Sequence, residues 1–552
     1  MVISWKFSIN GGLLMRNLLK AVVLTAVLAI GLTTFTGCAR GTPTTCKGWV
    51  KLLKSPVNGK KAIQNLGELK CAESIPALAE IFPRSQYKDD ILLAVQQINA
   101  PEASLELVNA ALADPEAAVQ AAAVAEDFAR PEFRAGLKEI LESNKALDAR
   151  MNALKALAKI DKDNLIQHED LCIKLLLEDP NLQKIEVNAE AAKLLGQMKS
   201  EKAIGALIKA VFIRDQRGRQ AYVPVRRALA EIGRPAVEPL VGVLTKDVQN
   251  YGRLIEEINA MAGKMGIFDW QIFDGPELVQ ILGDLRDERA ALALAKDLGS
   301  VLNPPVGVDD RVIRTWQIAQ QNRITMSMMA LWNVGNKEII PTLVETITNE
   351  DNDAKQRLDT ASSLALVPGF AGIPPLLKIF KETKREVFRA PLVKVISLGI
   401  DWQNYAVFKK MLAAEKSDLV KERFQGDNAE AQAFLATVKP LEQCKPFDVE
   451  CLVQMTKDEN TTVGQKAALL LGGVTEPEAR AAALKALIEL YPQIDPKRDV
   501  DFRRFVLLSI WRLGDKSIMP EMERLLAADR ANKRANYWVE ELQTFLPAMA
   551  TK

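Results

Sequence analysis

The chain has 552 residues, with 72 Lys and Arg against 70 Asp and Glu, one His and six Cys. A hydrophobic share of 48% and a charged share of 26% exclude wholesale disorder, and a net charge of +2 gives no electrostatic reason to expect nucleic acid as a partner. A single histidine leaves little of the usual kit for metal or acid–base chemistry, and the scarcity of aromatics (6%) beside abundant Ala and Leu favours helices over a large β-sandwich.

In chain order, the first element is an address. Met15-Arg16-Asn17-Leu18-Leu19-Lys20 is basic, Ala21–Leu32 is a 12-residue apolar run, and small residues follow up to Cys38. That series predicts a secretory signal peptide over residues 1–37. Both Met1 and Met15 fit as its start. Phe35-Thr36-Gly37-Cys38 resembles the lipobox of bacterial lipoproteins. The resemblance implies cleavage before Cys38, lipidation of its sulfur and a membrane anchor in a bacterial cell envelope. Ala39 stands where such lipoproteins carry Asp for inner-membrane retention, so the implied address is the outer membrane facing the periplasm. Cleavage would leave 69 basic and 70 acidic residues, so the mature body is neutral too.

Residues 38–54 are expected to be the lipidated Cys, a tether and an N-terminal cap. Five cysteines remain, and an envelope location permits disulfides. Cys46 with Cys71 could tie the cap to the first repeat, and Cys444 with Cys451 could staple one turn. Cys172, inside the apolar run 171–177, reads as a buried free thiol. No C-x-x-C spacing occurs, so neither a redox motif nor a zinc knuckle is expected.

From residue 55 to 552 one unit repeats. Leu66-Gly67 is followed nine and twelve positions later by Ile75 and Leu78, Leu195-Gly196 by Ile204 and Leu207, and Leu282-Gly283 by Ala291 and Leu294. A shorter form, Gly-x5-Pro, recurs at Gly233/Pro239, Gly335/Pro341, Gly369/Pro375 and Gly514/Pro520. The expectation is that each Gly ends a helix in a left-handed turn and each Pro opens the next. Anchors at Leu66, Ile98, Phe128, Ile160, Leu195 and Ile232 are spaced by 32, 30, 32, 35 and 37 residues, and Val334, Leu366 and Leu398 return to 32. The pattern resembles the HEAT-like repeats first named from phycobilisome lyases. The resemblance implies an all-α fold, a right-handed α-solenoid of about twelve to thirteen helical hairpins.

The period breaks at three stretches, 213–223, 245–275 and 299–323, and a degenerate unit is expected near 431–438. Extra loops on a repeat array often mark its binding face. Arg and Trp are frequent binding hot spots, so Arg217, Arg219, Phe268, Trp270 and Trp316 are the candidate partner-binding residues. Trp332, Trp402 and Trp511 lie in regular units and are expected in the core.

No chemistry motif is present: no phosphate loop, dinucleotide fingerprint, H-E-x-x-H or G-x-S-x-G. Asp161–Asn164 starts like a calcium loop, but Ile166 and Cys172 stand where Gly and Glu are needed. His168 reads as a solvated loop residue, and the pairs Asp89-Asp90 and Asp309-Asp310 as loop or helix-cap acids. The sequence therefore predicts no catalytic residue, no metal and no cofactor. It points to a non-catalytic, lipid-anchored scaffold with a protein partner in the envelope, without nucleic acid or a small-molecule substrate. Two further readings stand beside it. One is an enzyme of the phycobilisome-lyase type, resting on the repeat resemblance alone. The other is a cell-wall glycan-binding module, resting on the inserted aromatics.

Overall fold

The computed structural model describes residues 43–531 except 144–145, 268, 274, 301–302, 426–429, 445–447, 475, 496–498 and 515. Among the described residues the fold is all-α; the one β feature is an isolated antiparallel bridge between Arg214 and Gln220. The expected leader and Cys38, the expected site of lipidation, lie outside the described residues.

A first row of helices runs Gly59–Glu68, Lys88–Ile98, Ala118–Phe128, Arg150–Ile160, Ile185–Gln197 and Tyr222–Ile232, then Glu277–Leu285 and Asp310–Val334. Each packs on the next in that order. A second row alternates with it, including Pro101–Leu112, Arg134–Glu142, Glu169–Leu177 and Ile204–Ala210, each packed on the first-row helix that follows it. The positions that define the repeat are its core: Leu66, Ile75, Leu78, Leu195, Leu207, Leu282 and Leu294 are all buried. Each such aliphatic side chain taken out of water contributes about 1.5–3 kcal/mol.

The glycine of the Leu-Gly pair has a different job from the one expected. Gly67, Gly196, Gly283 and Gly472 lie inside helices, each near its helix's C-terminal end, and none takes a positive φ. They are contact points. A Cβ on Gly196 would sit 2.7 Å from the Cα of Ala228, and one on Gly283 would sit 2.8 Å from the Cα of Ala330. Two small residues facing each other bring successive first-row helices close together. The left-handed turn falls three residues later in three of the units, at Lys70 (φ 52°), Lys199 (φ 51°) and Arg286 (φ 52°). In the Gly-x5-Pro form the expectation fares better: Gly233, Gly335 and Gly369 have positive φ, while Gly514, at φ −73°, does not.

The first long insertion loops out without breaking the row. Helices Tyr222–Ile232 and Glu277–Leu285 pack on each other across it, fastened by Arg226, whose Nε and Nη2 donate to both oxygens of Asp284 at 2.5 and 2.9 Å. Both residues are buried.

The second half departs from open stacking. Asp310–Val334 packs on Ala354–Ala365, then come Glu386–Gly399, Glu430–Leu435, Thr461–Gly472 and Val500–Leu513, and this last helix returns to touch Asp310–Val334. These six helices form a closed ring. The row, expected to run through residues 55–552 as one repeat solenoid, here returns on itself. The physical cause is the irregular stretch after Gly399, where short helices at 418–421, 430–435 and 438–441 replace full hairpins and turn the row back on itself. The joint is polar as well as packed. Trp332 Nε1 donates to the carbonyl of Leu508 at 3.3 Å, and Arg286 Nη1 donates to the carbonyl of Gly514. Two disulfides fasten the chain locally, Cys46–Cys71 and Cys444–Cys451, with Cα atoms 5.7 and 5.4 Å apart. Cys172 is free and buried, and burial pushes its thiol up to about 12.

Candidate functional site

The stretch 213–223 is a tight hairpin built around one carboxylate. Asp215 accepts the backbone N–H groups of Arg217 and Arg219 at 2.9 and 2.8 Å and the Arg219 Nε at 2.7 Å. Burial opposes its charge, but these donors hold the carboxyl below the ordinary carboxylate range. Arg219 also reaches Glu186 at 2.6 Å, so its head is committed to the fold on both sides. Arg217 is exposed on the same hairpin. The hairpin also meets the start of helix Glu277–Leu285, where Tyr222 donates to Gln280 at 2.8 Å. There burial pushes the Glu277 carboxyl up, against the charge of Arg214.

The stretch 245–275 forms the helix Val248–Met265 and the short helix Asp269–Phe273, which carries Trp270. Phe268 lies outside the described residues. Ile272 and Phe273 are buried, with Lys246 Nζ 5.0 Å from the centre of the Phe273 ring. The stretch 299–323 lengthens the helix Asp310–Val334 at its start, where Asp309 caps it by accepting the N–H of Val312. The short helix 269–273 touches this long helix. Trp316 is buried (9% exposed), with an indole N–H that has no acceptor. Burial withholds its ring from a partner. Exposed instead on the three stretches are Val223, Val248, Val306 and Ile318, the last two at 96% and 61%.

His168 is not solvated as expected. It is buried, with Nε2 2.7 Å from Asp161, whose carboxylate also takes Arg134 at 2.5 and 2.8 Å. Burial acts to raise the Asp161 carboxyl, and the Arg134 and His168 hydrogen bonds outweigh it and hold the group low. The arrangement is a structural clasp. Among the described residues no group of His, Cys, Asp or Glu is placed to hold a metal ion, and no helix is long and apolar enough to cross a membrane.

Sequence reasoning missed the closing joint of the ring. Here a cavity of about 370 Å³ opens between the ends of helices 310–334, 354–365, 461–472 and 500–513. Its wall includes Trp332, Leu366, Phe370 and Leu470, and Lys337 and Glu476 stand exposed beside it. Arg512 also lines it, stacked 4.6 Å from the centre of the Trp332 ring and only 6% exposed. Burial, reinforced by the charge of Arg480, pulls the Arg512 guanidinium down to about 10. The signal available in the sequence was cations set among apolar neighbours, Lys466 in 461–472 and Arg512 in the run 505–513.

No protein-family model matches the chain, and no curated protein matches it in sequence.

Proposed function

We propose that the protein is a lipid-anchored envelope scaffold whose irregular stretches bind a protein partner, on a body of stacked HEAT-like hairpins over its first half. The carrying observation is the concentration of exposed apolar side chains, Val223, Val248, Val306 and Ile318, on the three stretches that break the repeat, beside the exposed Arg217. Large apolar side chains left in water next to Arg suit a hot-spot surface. The two disulfides support an oxidising compartment, in keeping with the leader and with acylation at Cys38.

The test is photo-crosslinking in intact cells from positions 217, 306 and 318, with position 93 on a regular unit as control. One protein trapped from all three sites and not from the control is the expected outcome. Arg217→Glu with Ile318→Asp should remove it while leaving helicity and melting unchanged. Trapping equally from the control would sink the reading. Lipidation is tested separately: Cys38→Ser should abolish fatty-acid labelling, and persistence of label in that variant overturns the assignment of the anchor.

A further inference from the structure

The cavity at the closing joint is built from side chains far apart in sequence. Trp332 and Arg512 meet only because the ring closes, and the turns at Gly369 and Gly473 touch beside them: a Cβ on Gly473 would lie 3.7 Å from the Gly369 nitrogen. The wall is apolar, yet two polar side chains more than nine-tenths buried have atoms without a partner. One is Nη1 of Arg512. The other is the Ser363 hydroxyl, in a smaller adjoining cavity that shares Trp332, Leu366 and Val367 with the first. Among the described residues no carboxylate pairs with Arg512. Nearby cations are already used: Arg480 donates through Nε and Nη2 to the carbonyl of Leu513.

A buried guanidinium without an acceptor is costly, and a ligand that supplies one recovers the cost. Arg512 and Lys337 against Glu476, with the further charge of Arg480 close by, leave the site positive, which calls for an anion. An apolar wall with one charged anchor is the usual make-up of a small-molecule site, and the volume falls within the range of roughly 300–1,000 Å³ for such sites. A phosphate would bring about two charges and a hydration shell that this wall cannot replace.

We propose that the closed end of the helix ring binds a small amphipathic monocarboxylate, its acid on Arg512 and its apolar body against Trp332, Leu366 and Phe370. This departs from the expectation of no small-molecule substrate, and it stands independently of the partner surface.

The experiment is calorimetric titration of the full-length protein in lipid nanodiscs with 4-phenylbutyrate, beside 4-phenylbutanol and 4-phenylbutylamine. Saturable binding of the carboxylate is expected, at least tenfold tighter than the alcohol, with no binding of the amine. Arg512→Met should weaken the carboxylate at least tenfold and leave the alcohol within about twofold. Because Arg512 is buried, two further variants guard the result: exposed Lys337→Glu should weaken binding several-fold, and Val474→Trp should block all three probes. No saturable binding of the carboxylate, equal binding of carboxylate and amine, or unchanged affinity in Lys337→Glu and Val474→Trp overturns the proposal.

Discussion

Lys466 shows how a single residue sets a pH dependence. Its amine is buried on helix Thr461–Gly472, donates to the carbonyl of Ile400 and faces Asp401. Burial pulls it down to about 7, against the partial help of Asp401. In the unfolded chain the same amine titrates near ~10.4. Between these two values the unfolded state holds a proton that the folded state lacks, so this group makes stability rise with pH across that window. Below about 7 the folded protein must carry a buried charge, and the full penalty applies. Lys466→Met should therefore raise the urea midpoint at pH 6 and flatten its rise between pH 7 and 10. A variant less stable than the parent at pH 6 would contradict this account. His168 teaches the converse lesson about legibility. Its neighbours Glu169 and Asp170 made it look solvated, but the partner that allows its burial, Asp161, lies seven residues back and is itself neutralised by Arg134.

At the scale of helices, the repeat was legible because its period is carried by local apolar spacing, and the apolar residues nine and twelve positions after Leu66, Leu195 and Leu282 are core positions in the structure. The role of glycine was misread for a physical reason. A glycine that ends a helix and a glycine that admits a neighbouring backbone look alike in one sequence, and only the facing residue separates them. Here that residue is Ala94 for Gly67, Ala228 for Gly196, Ala330 for Gly283 and Ser509 for Gly472. Gly283→Val should cost about 1–3 kcal/mol by overpacking. Ala330→Gly in the same chain should recover part of that loss in chemical denaturation. The Arg226–Asp284 pair makes a second prediction at this scale. Asp284→Asn leaves a buried guanidinium half-paired and should cost about 3–5 kcal/mol, whereas Arg226→Met with Asp284→Leu should restore most of the loss. Equal destabilisation by the single and the double change would show that the pair is not the fastening across the insertion.

At the scale of the whole molecule, the two halves differ in how their contacts are distributed. Over 59–285 most contacts join neighbouring helices, so damage should stay local. From 310 onward each of the six helices depends on a closed circuit. Deleting residues 500–531 should therefore expose amides of helix 310–334 to hydrogen exchange while helices 59–197 keep their protection. Uniform loss along the chain would contradict this division. The circuit was illegible in the sequence because nothing local announces it. Trp332 meets Leu508 across 176 residues, and Arg286 meets Gly514 across 228.

Those separations bear on the order of events during synthesis. A chain that emerges amino end first can settle its early hairpins one at a time, each on the last, because every contact is made with material already present. Helix 310–334 has no such opportunity. Its final neighbour arrives some 170 residues later, and until then the face carrying Trp332 stays uncovered. Bringing such distant ends together costs closure entropy before any packing rewards it, so the carboxyl-terminal half should fold as a late, concerted step. That interval is when an assisting factor would find the protein, with its front half finished and its back half open.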